Sequence, residues 1–239
     1  MSTYPRDLSL LEKKIGYTFN DRSVLELAMT HSSYSNELRA KGIQSECNER
    51  LEFLGDSVLS LITTRHLYGT YKELKEGEMS KIRAAAVCEK SLHGFAMRIS
   101  LGDYLRLGHG EELNRGRGRA SILADAFEAL LAAMYLDGNA EITEKFLIPM
   151  ISAEVAEIIE SGRVQDHKTE LQQIIQQDKD ELLEYVTVEE SGPPHKRVFY
   201  VEARLNGNVI GRGEGLSKRA AEQCAAKEAL KLFGVRGGE

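Results

Sequence analysis

Apolar residues in the first two thirds of the chain recur at helical spacing, and nowhere there do they alternate as in a strand. Leu8, Leu11 and Ile15, then Leu25, Leu27 and Met29, predict helices within residues 8–40, with Asn20-Asp21 as break and cap between them. Thr30-His31-Ser32-Ser33-Tyr34 closes that region as a polar knot. A ligand or base role is open to His31, but a hydrogen-bonded structural residue is the reading favoured for a lone histidine beside Ser and Thr. Asn48 predicts an N-cap for a helix running to about Tyr68. Two further helices are expected, one between Lys81 and Ile99 and one from Ser121 to about Leu136, and over 154–160 the helix becomes amphipathic and acidic. All of this part reads as helical.

Beyond residue 160 the pattern changes. Ser161-Gly162-Arg163-Val164-Gln165 reads as a linker, and residues 169–177 as a helix. Residues 184–190 and 198–205 alternate as strands, and Asn206-Gly207 predicts a hairpin turn into a third strand over 208–213. Ser217 caps a final helix reaching Leu232. The order α-β-β-β-α predicts a small α+β domain, a helix layer on an antiparallel sheet. The expected division is residues 1–160, a linker at 161–165, and 166–239.

Composition narrows the class. A hydrophobic content of 42% in 239 residues suits one large or two ordinary globular domains and excludes wholesale disorder. No apolar run approaches the roughly 20 residues that span a bilayer. The start, MSTYPRDLSLLEKK, lacks the basic-then-apolar order of a signal peptide, so a cytoplasmic protein without membrane partners is expected. Cys47, Cys88 and Cys224 are scattered, which opposes a disulfide framework or a structural zinc site. Cys47 lies near an acidic stretch, but thiolates suit softer metals than carboxylates select. The net charge of −6 gives no global sign of nucleic-acid binding, so any basic surface must be local.

The chemistry concentrates in NERLEFLGDSVLS, residues 48–60. Glu49, Glu52 and Asp56 stand three and four apart, which puts them within about a 60° sector of a helix. Leu51, Leu54, Val58, Leu61 and Ile62 are expected on the opposite side with Phe53 and Leu59 flanking, a helix buried nearly all round. Crowded buried carboxylates repel one another and lose hydration, which cations relieve. A solvated acidic face is the competing reading. SILADAFEALLAAMYLDG favours the cation, because Asp125 and Glu128 occupy i and i+3 of an apolar helix whose Ala124, Ala129 and Ala132 leave room for a neighbour. Facing each other, the two helices would gather four or five carboxylates around one or two ions. Oxygen-only ligation suits Mg2+, with Mn2+ as a substitute, rather than zinc. No small-molecule cofactor is indicated.

Two basic features are local. The glycine-rich segment 108–119, GHGEELNRGRGR, reads as a flexible loop in which Arg115, Arg117 and Arg119 either reach an anion or remain solvated. Lys218 and Arg219 lie in the first turn of the final helix, where the dipole disfavours cations unless an anion is shared with the free amides. The second domain is not basic in bulk: eleven Lys and Arg stand against thirteen Asp and Glu after residue 165.

NERLEFLGDS together with SILADAFEALLAAMYLDG resembles the nuclease domain of bacterial ribonuclease III, and THSSY and EGEMSKIRA fit the same family. GPPHKRVFYVEA and GRGEGLSKRAAEQCAAKEAL resemble a double-stranded-RNA-binding domain. The resemblance covers essentially the whole chain. It implies an all-α nuclease domain followed by an α-β-β-β-α RNA-binding domain. It further implies a homodimeric endonuclease that hydrolyses double-stranded RNA, leaving 5′-phosphates and short 3′ overhangs, with roles in rRNA and mRNA processing. By position, Glu52, Asp56, Asp125 and Glu128 correspond to metal ligands and Glu49 to an accessory acid. Asp56, Glu128 and Glu49 are then the catalytic acids. Glu76 matches an acid that reaches the partner subunit's cleft. Lys218 and Arg219 correspond to phosphate contacts, and His195 to a minor-groove contact. Two departures stand out. Gln173 occupies a position often held by glutamate, where it can still hydrogen-bond a 2′-hydroxyl. Ala220 and Glu222 stand where a third basic residue is usual, so modest affinity is expected of this domain alone. A non-catalytic RNA-binding protein would have no use for five spaced acids. A di-iron helical protein would carry Glu-x-x-His ligands, and no such motif accompanies either acidic helix.

Overall fold

Asp7 accepts a hydrogen bond from the Ser9 amide and so starts the first helix, α1 (Leu8–Ile15). Asp21 does the same through Ser23 for α2 (Arg22–Ala28), and His31 through Ser33 for α3 (Ser32–Ala40). The long α4 (Glu49–Thr70) follows, then α5 (Glu76–Ala86), α6 (Glu89–Arg98), the short α7 (His109–Leu113), α8 (Ala120–Asp137) and α9 (Ala140–Glu160). After these come α10 (His167–Ile175), strands β1 (Leu183–Ser191), β2 (Val198–Leu205) and β3 (Asn208–Gly215), and α11 (Lys218–Leu232). This computed structural model describes residues 5–161, 167–175, 181–193 and 197–234. The chain divides into two compact units, Met1–Val164 and Gln165–Glu239.

Helix α8 is the axis of the first unit. Its apolar residues run all the way round it, and Leu123, Phe127, Leu130, Leu131 and Met134 are fully buried, as a central helix requires. Helices α4, α6, α2 and α9 pack around it. Gly55 explains how closely α4 approaches: a Cβ there would fall 1.9 Å from the Glu128 carbonyl oxygen. The far end of α8 is fixed by Asp137, which accepts from the Tyr17 hydroxyl at 2.6 Å and from the amides of Asn20 and Asp21 at 2.8 and 2.7 Å. One carboxylate thereby closes the break between α1 and α2 that Asn20-Asp21 predicts. Burial and the Asp137 charge push the Tyr17 hydroxyl up to about 12.

Three local expectations need correction. Helix α5 begins at Glu76 rather than near Lys81, because Glu78 folds back to accept from the Lys75 amide at 2.9 Å. Asn48 precedes α4 without capping it; its side-chain amide is buried and donates to the Ala28 carbonyl at 3.3 Å. The segment 108–119 is ordered into α7 and a 3-10 turn (Gly116–Gly118). Arg117 there donates to the carbonyls of Gly102 and Leu105, each at 2.7 Å, and forks onto Glu112, so it is committed to the fold.

In the second unit the sheet order is β1-β2-β3, antiparallel, with Leu183 opposite Leu205 and Glu202 opposite Arg212. Asn206 (φ 50°) and Gly207 (φ 81°) supply the left-handed pair that a two-residue hairpin requires. Val201 and Ala203 face Ala221, Ala225, Ala226 and Ala229 of α11, and Leu171 and Ile175 of α10 complete this small core. Four of the five expected linker residues, 162–165, lie outside the described residues.

Candidate metal centre and nucleic-acid interface

The approach of α4 to α8 at Gly55 brings their acids together. Ligand oxygens of Glu52, Asp125 and Glu128 all lie within 4.8 Å of one another. Among the described residues no side chain or amide donates a hydrogen bond or ion pair to these three carboxyl groups. Burial, then the charges of Asp56, Glu52 and Asp125, push the Glu128 carboxyl up to about 7. Burial and the charges of Asp125 and Glu49 raise Glu52. Asp125 is raised by burial and by Glu89, against the opposing influence of His31. Half-buried carboxylates that repel one another and lack donors fit a hard divalent cation, which supplies the missing positive charge to oxygen ligands.

The remaining acids differ in placement. Asp56 is exposed on the next turn of α4, yet it is the largest charge acting on Glu128. Glu49 is exposed at the helix start and acts on Glu52. Glu76 stands exposed at the head of α5, accepts from the Ser80 hydroxyl at 2.9 Å, and is not part of the cluster. Sequence spacing did not reveal Glu89 as a neighbour of Asp125, because α6 packs against α8 only through tertiary contacts. His31 keeps the structural role expected of it: Nδ1 accepts from the Ser33 amide at 3.2 Å and lies 2.8 Å from the Ser33 hydroxyl.

Helix α4 is not buried nearly all round. Phe53 is 80% exposed, Leu61 58% and Tyr68 76%, whereas Leu59 is fully buried. Leu61 shares the solvent-facing side of Tyr68, seven residues or two turns on, although it lies only about 60° round the helix from the buried Val58. Phe53, Leu61 and Tyr68 are thus large apolar side chains left exposed on α4.

In the second unit Ser217 caps α11 by accepting from the Ala220 amide, and the exposed Lys218 and Arg219 follow in the first turn. Gln173 is exposed on α10. His195 lies outside the described residues. Glu222, in the place of a usual third cation, is paired with Lys168 at 2.7 Å, and the Lys168 ammonium also lies 4.4 Å from the Tyr185 ring centroid. No helix among the described residues is long and apolar enough to cross a membrane.

These two units match two family models: a ribonuclease-III-like domain over residues 21–155 and a double-stranded RNA binding motif over residues 167–232. Among curated proteins, the chain is 45% identical to a ribonuclease 3 of Clostridium tetani, covering 96% of both chains. It is also 45% identical to a ribonuclease 3 of Caldanaerobacter subterraneus, covering 95% of this chain and 99% of that one. Among solved structures, the nuclease domain of ribonuclease III from Campylobacter jejuni aligns with a TM-score of 0.56 at 36% identity, covering 62% of this chain and 98% of that chain. The chain belongs to the ribonuclease III family and is an endoribonuclease of double-stranded RNA, with a helical nuclease unit followed by an RNA-binding unit.

Proposed function

We propose that the chain hydrolyses double-stranded RNA by divalent-metal catalysis at the α4–α8 carboxylates, leaving 5′-phosphate and 3′-hydroxyl ends with short 3′ overhangs. The crowding of Glu52, Asp125 and Glu128 without a donor among them is the observation that carries this reading. These three, with Asp56 at the rim, would hold Mg2+ or Mn2+, and Glu49 would shape the field at the edge. A bound divalent ion masks phosphate charge, lowers the pKa of a water and stabilises the leaving oxygen. Burial and the neighbouring charges push the Glu128 carboxyl up to about 7, so below that pH ion binding must displace a proton, and it strengthens as pH rises toward this value and levels off above it.

Duplex RNA hides its base edges in a deep groove, so recognition rests on phosphates and 2′-hydroxyls. Lys218 and Arg219 would contact phosphates, Gln173 a 2′-hydroxyl, and His195 the minor groove. A homodimer through the nuclease unit would cut both strands by two-fold symmetry. The exposed Phe53, Leu61 and Tyr68 support it, as does the Campylobacter jejuni structure, whose description refers to a region involved in dimer formation. Glu76 would then reach the partner's cleft. Processing of rRNA and mRNA in the cytoplasm is the role that suits this substrate class. The test is cleavage of matched duplex and single-stranded RNA in Mg2+, with end-group analysis of the products. Duplex-selective cutting with 5′-phosphates is expected, and Glu128→Gln or Asp56→Asn should bind duplex and fail to cut it. Undiminished cutting by either variant would overturn the assignment.

A further inference from the structure

Lys218 already has an anion at its side. Its Nζ lies 3.2 Å from Glu190 Oε1 and 5.7 Å from the centroid of the Phe199 ring. The second oxygen of the same carboxylate, Oε2, accepts from Arg197 Nη1 at 3.2 Å. Glu190 and Phe199 are register partners between β1 and β2, so the carboxylate, the ring and the ammonium stack at one level of the sheet. One carboxylate thus bridges two cations, one at the entry to β2 and one in the first turn of α11. Lys218 keeps 59% of its side chain exposed and Arg197 46%, so the bridge is open to solvent and adds little to folding stability. The Lys168–Glu222 pair differs: it joins two packed helices and holds them together.

We propose that Glu190 is an internal competitor for the RNA phosphate at Lys218, a carboxylate that sets the affinity and salt dependence of duplex binding. This rests on the reading of Lys218 as a phosphate contact. A phosphate arriving at Lys218 brings oxygens of the same charge and hydrogen-bonding character as those of Glu190, and both cannot be bound at full strength. While the carboxylate stays, its charge repels the phosphate; when it is displaced, Lys218 and Arg197 lose a partner in exchange. Either way the face presents one positive charge fewer to RNA than its cations suggest. In a unit with more acids than bases, this holds binding to a level from which cleaved duplex departs readily.

The test is equilibrium binding of the full chain to a fluorescent RNA duplex in EDTA, across a range of KCl. Glu190→Gln should bind about three- to tenfold more tightly at low salt, with a slope of log K against log[KCl] steeper by roughly 0.7–0.9. Glu190→Ala should give the same result, because the gain comes from removing charge. Lys218→Ala should weaken binding, and in that background Glu190→Gln should recover at most half of its gain. Unchanged affinity and slope in both Glu190 variants, with Lys218→Ala still weakening binding, would overturn the competitor and leave the phosphate contact standing. Unchanged binding by Lys218→Ala would instead remove the phosphate contact, and the competitor with it.

Discussion

Glu128→Gln should stabilise the metal-free protein while abolishing its activity. The carboxyl of Glu128 sits near 7 instead of 4.5 because burial and then Asp56, Glu52 and Asp125 oppose its ionisation. At about 1.4 kcal/mol per tenfold change in proton affinity, ionised Glu128 costs about 3 kcal/mol. The group keeps part of its hydration, and screening reduces that to on the order of 1–2 kcal/mol. The sign follows from proton counting. Between 4.5 and about 7 the folded chain binds a proton that the unfolded chain has released, so stability falls as pH rises through that window and the full cost stands above it. A neutral glutamine removes the cost. Thermal melts in EDTA at pH 8 should therefore show Glu128→Gln melting roughly 2–8 °C above the parent, with the gap closing by pH 5. Adding Mg2+ at pH 8 should raise the parent's melting temperature by mass action and leave the variant nearly unmoved. A variant less stable than the parent at pH 8 in EDTA, or a gap that does not change with pH, would refute the electrostatic account of this site.

Other perturbations test the supporting parts. Gly55→Ala should cost about 2 kcal/mol or more despite the better helix former, because its Cβ would strike the Glu128 carbonyl; denaturant unfolding measures this, and a neutral effect would deny the close approach of α4 to α8. Phe53→Asp should convert a dimer to a monomer in sedimentation, with loss of cleavage; an unchanged mass would remove the exposed α4 face from the interface. Lys218→Ala combined with Arg219→Ala should weaken duplex binding at every sequence and flatten the salt slope by about 1.4–1.8; an unaltered slope would show that neither touches phosphate.

The helical half, the hairpin at Asn206-Gly207 and the caps at Asp21 and Ser217 were legible because each depends on local chemistry: periodicity, left-handed turn residues, or a side-chain oxygen three or fewer residues from its amide. The pairing of Glu52 with Asp125 and Glu128 was legible because carboxylates in two apolar helices leave few other arrangements. What escaped depends on distant partners. Arg117 reads as an available cation in GRGR, yet its charge is spent on Glu112 and two carbonyls. Leu61 reads as core by composition, and only the packing of α4 against α5, α8 and α9 shows that it faces outward. Glu89 near Asp125 and Glu190 beside Lys218 have no spacing that announces them, since each lies on a different element from the group it acts upon.

The α4–α8 carboxylates should hold a divalent cation in the absence of substrate. Calorimetric titration of Mn2+ into the metal-free chain at pH 8 and at pH 6 addresses it without RNA or turnover. Saturable binding is predicted, stronger at pH 8, with proton release at the lower pH from Glu128, and absent from a chain carrying Glu52→Gln, Asp125→Asn and Glu128→Gln together. Equal binding by the triple variant, folded by circular dichroism, would contradict the account.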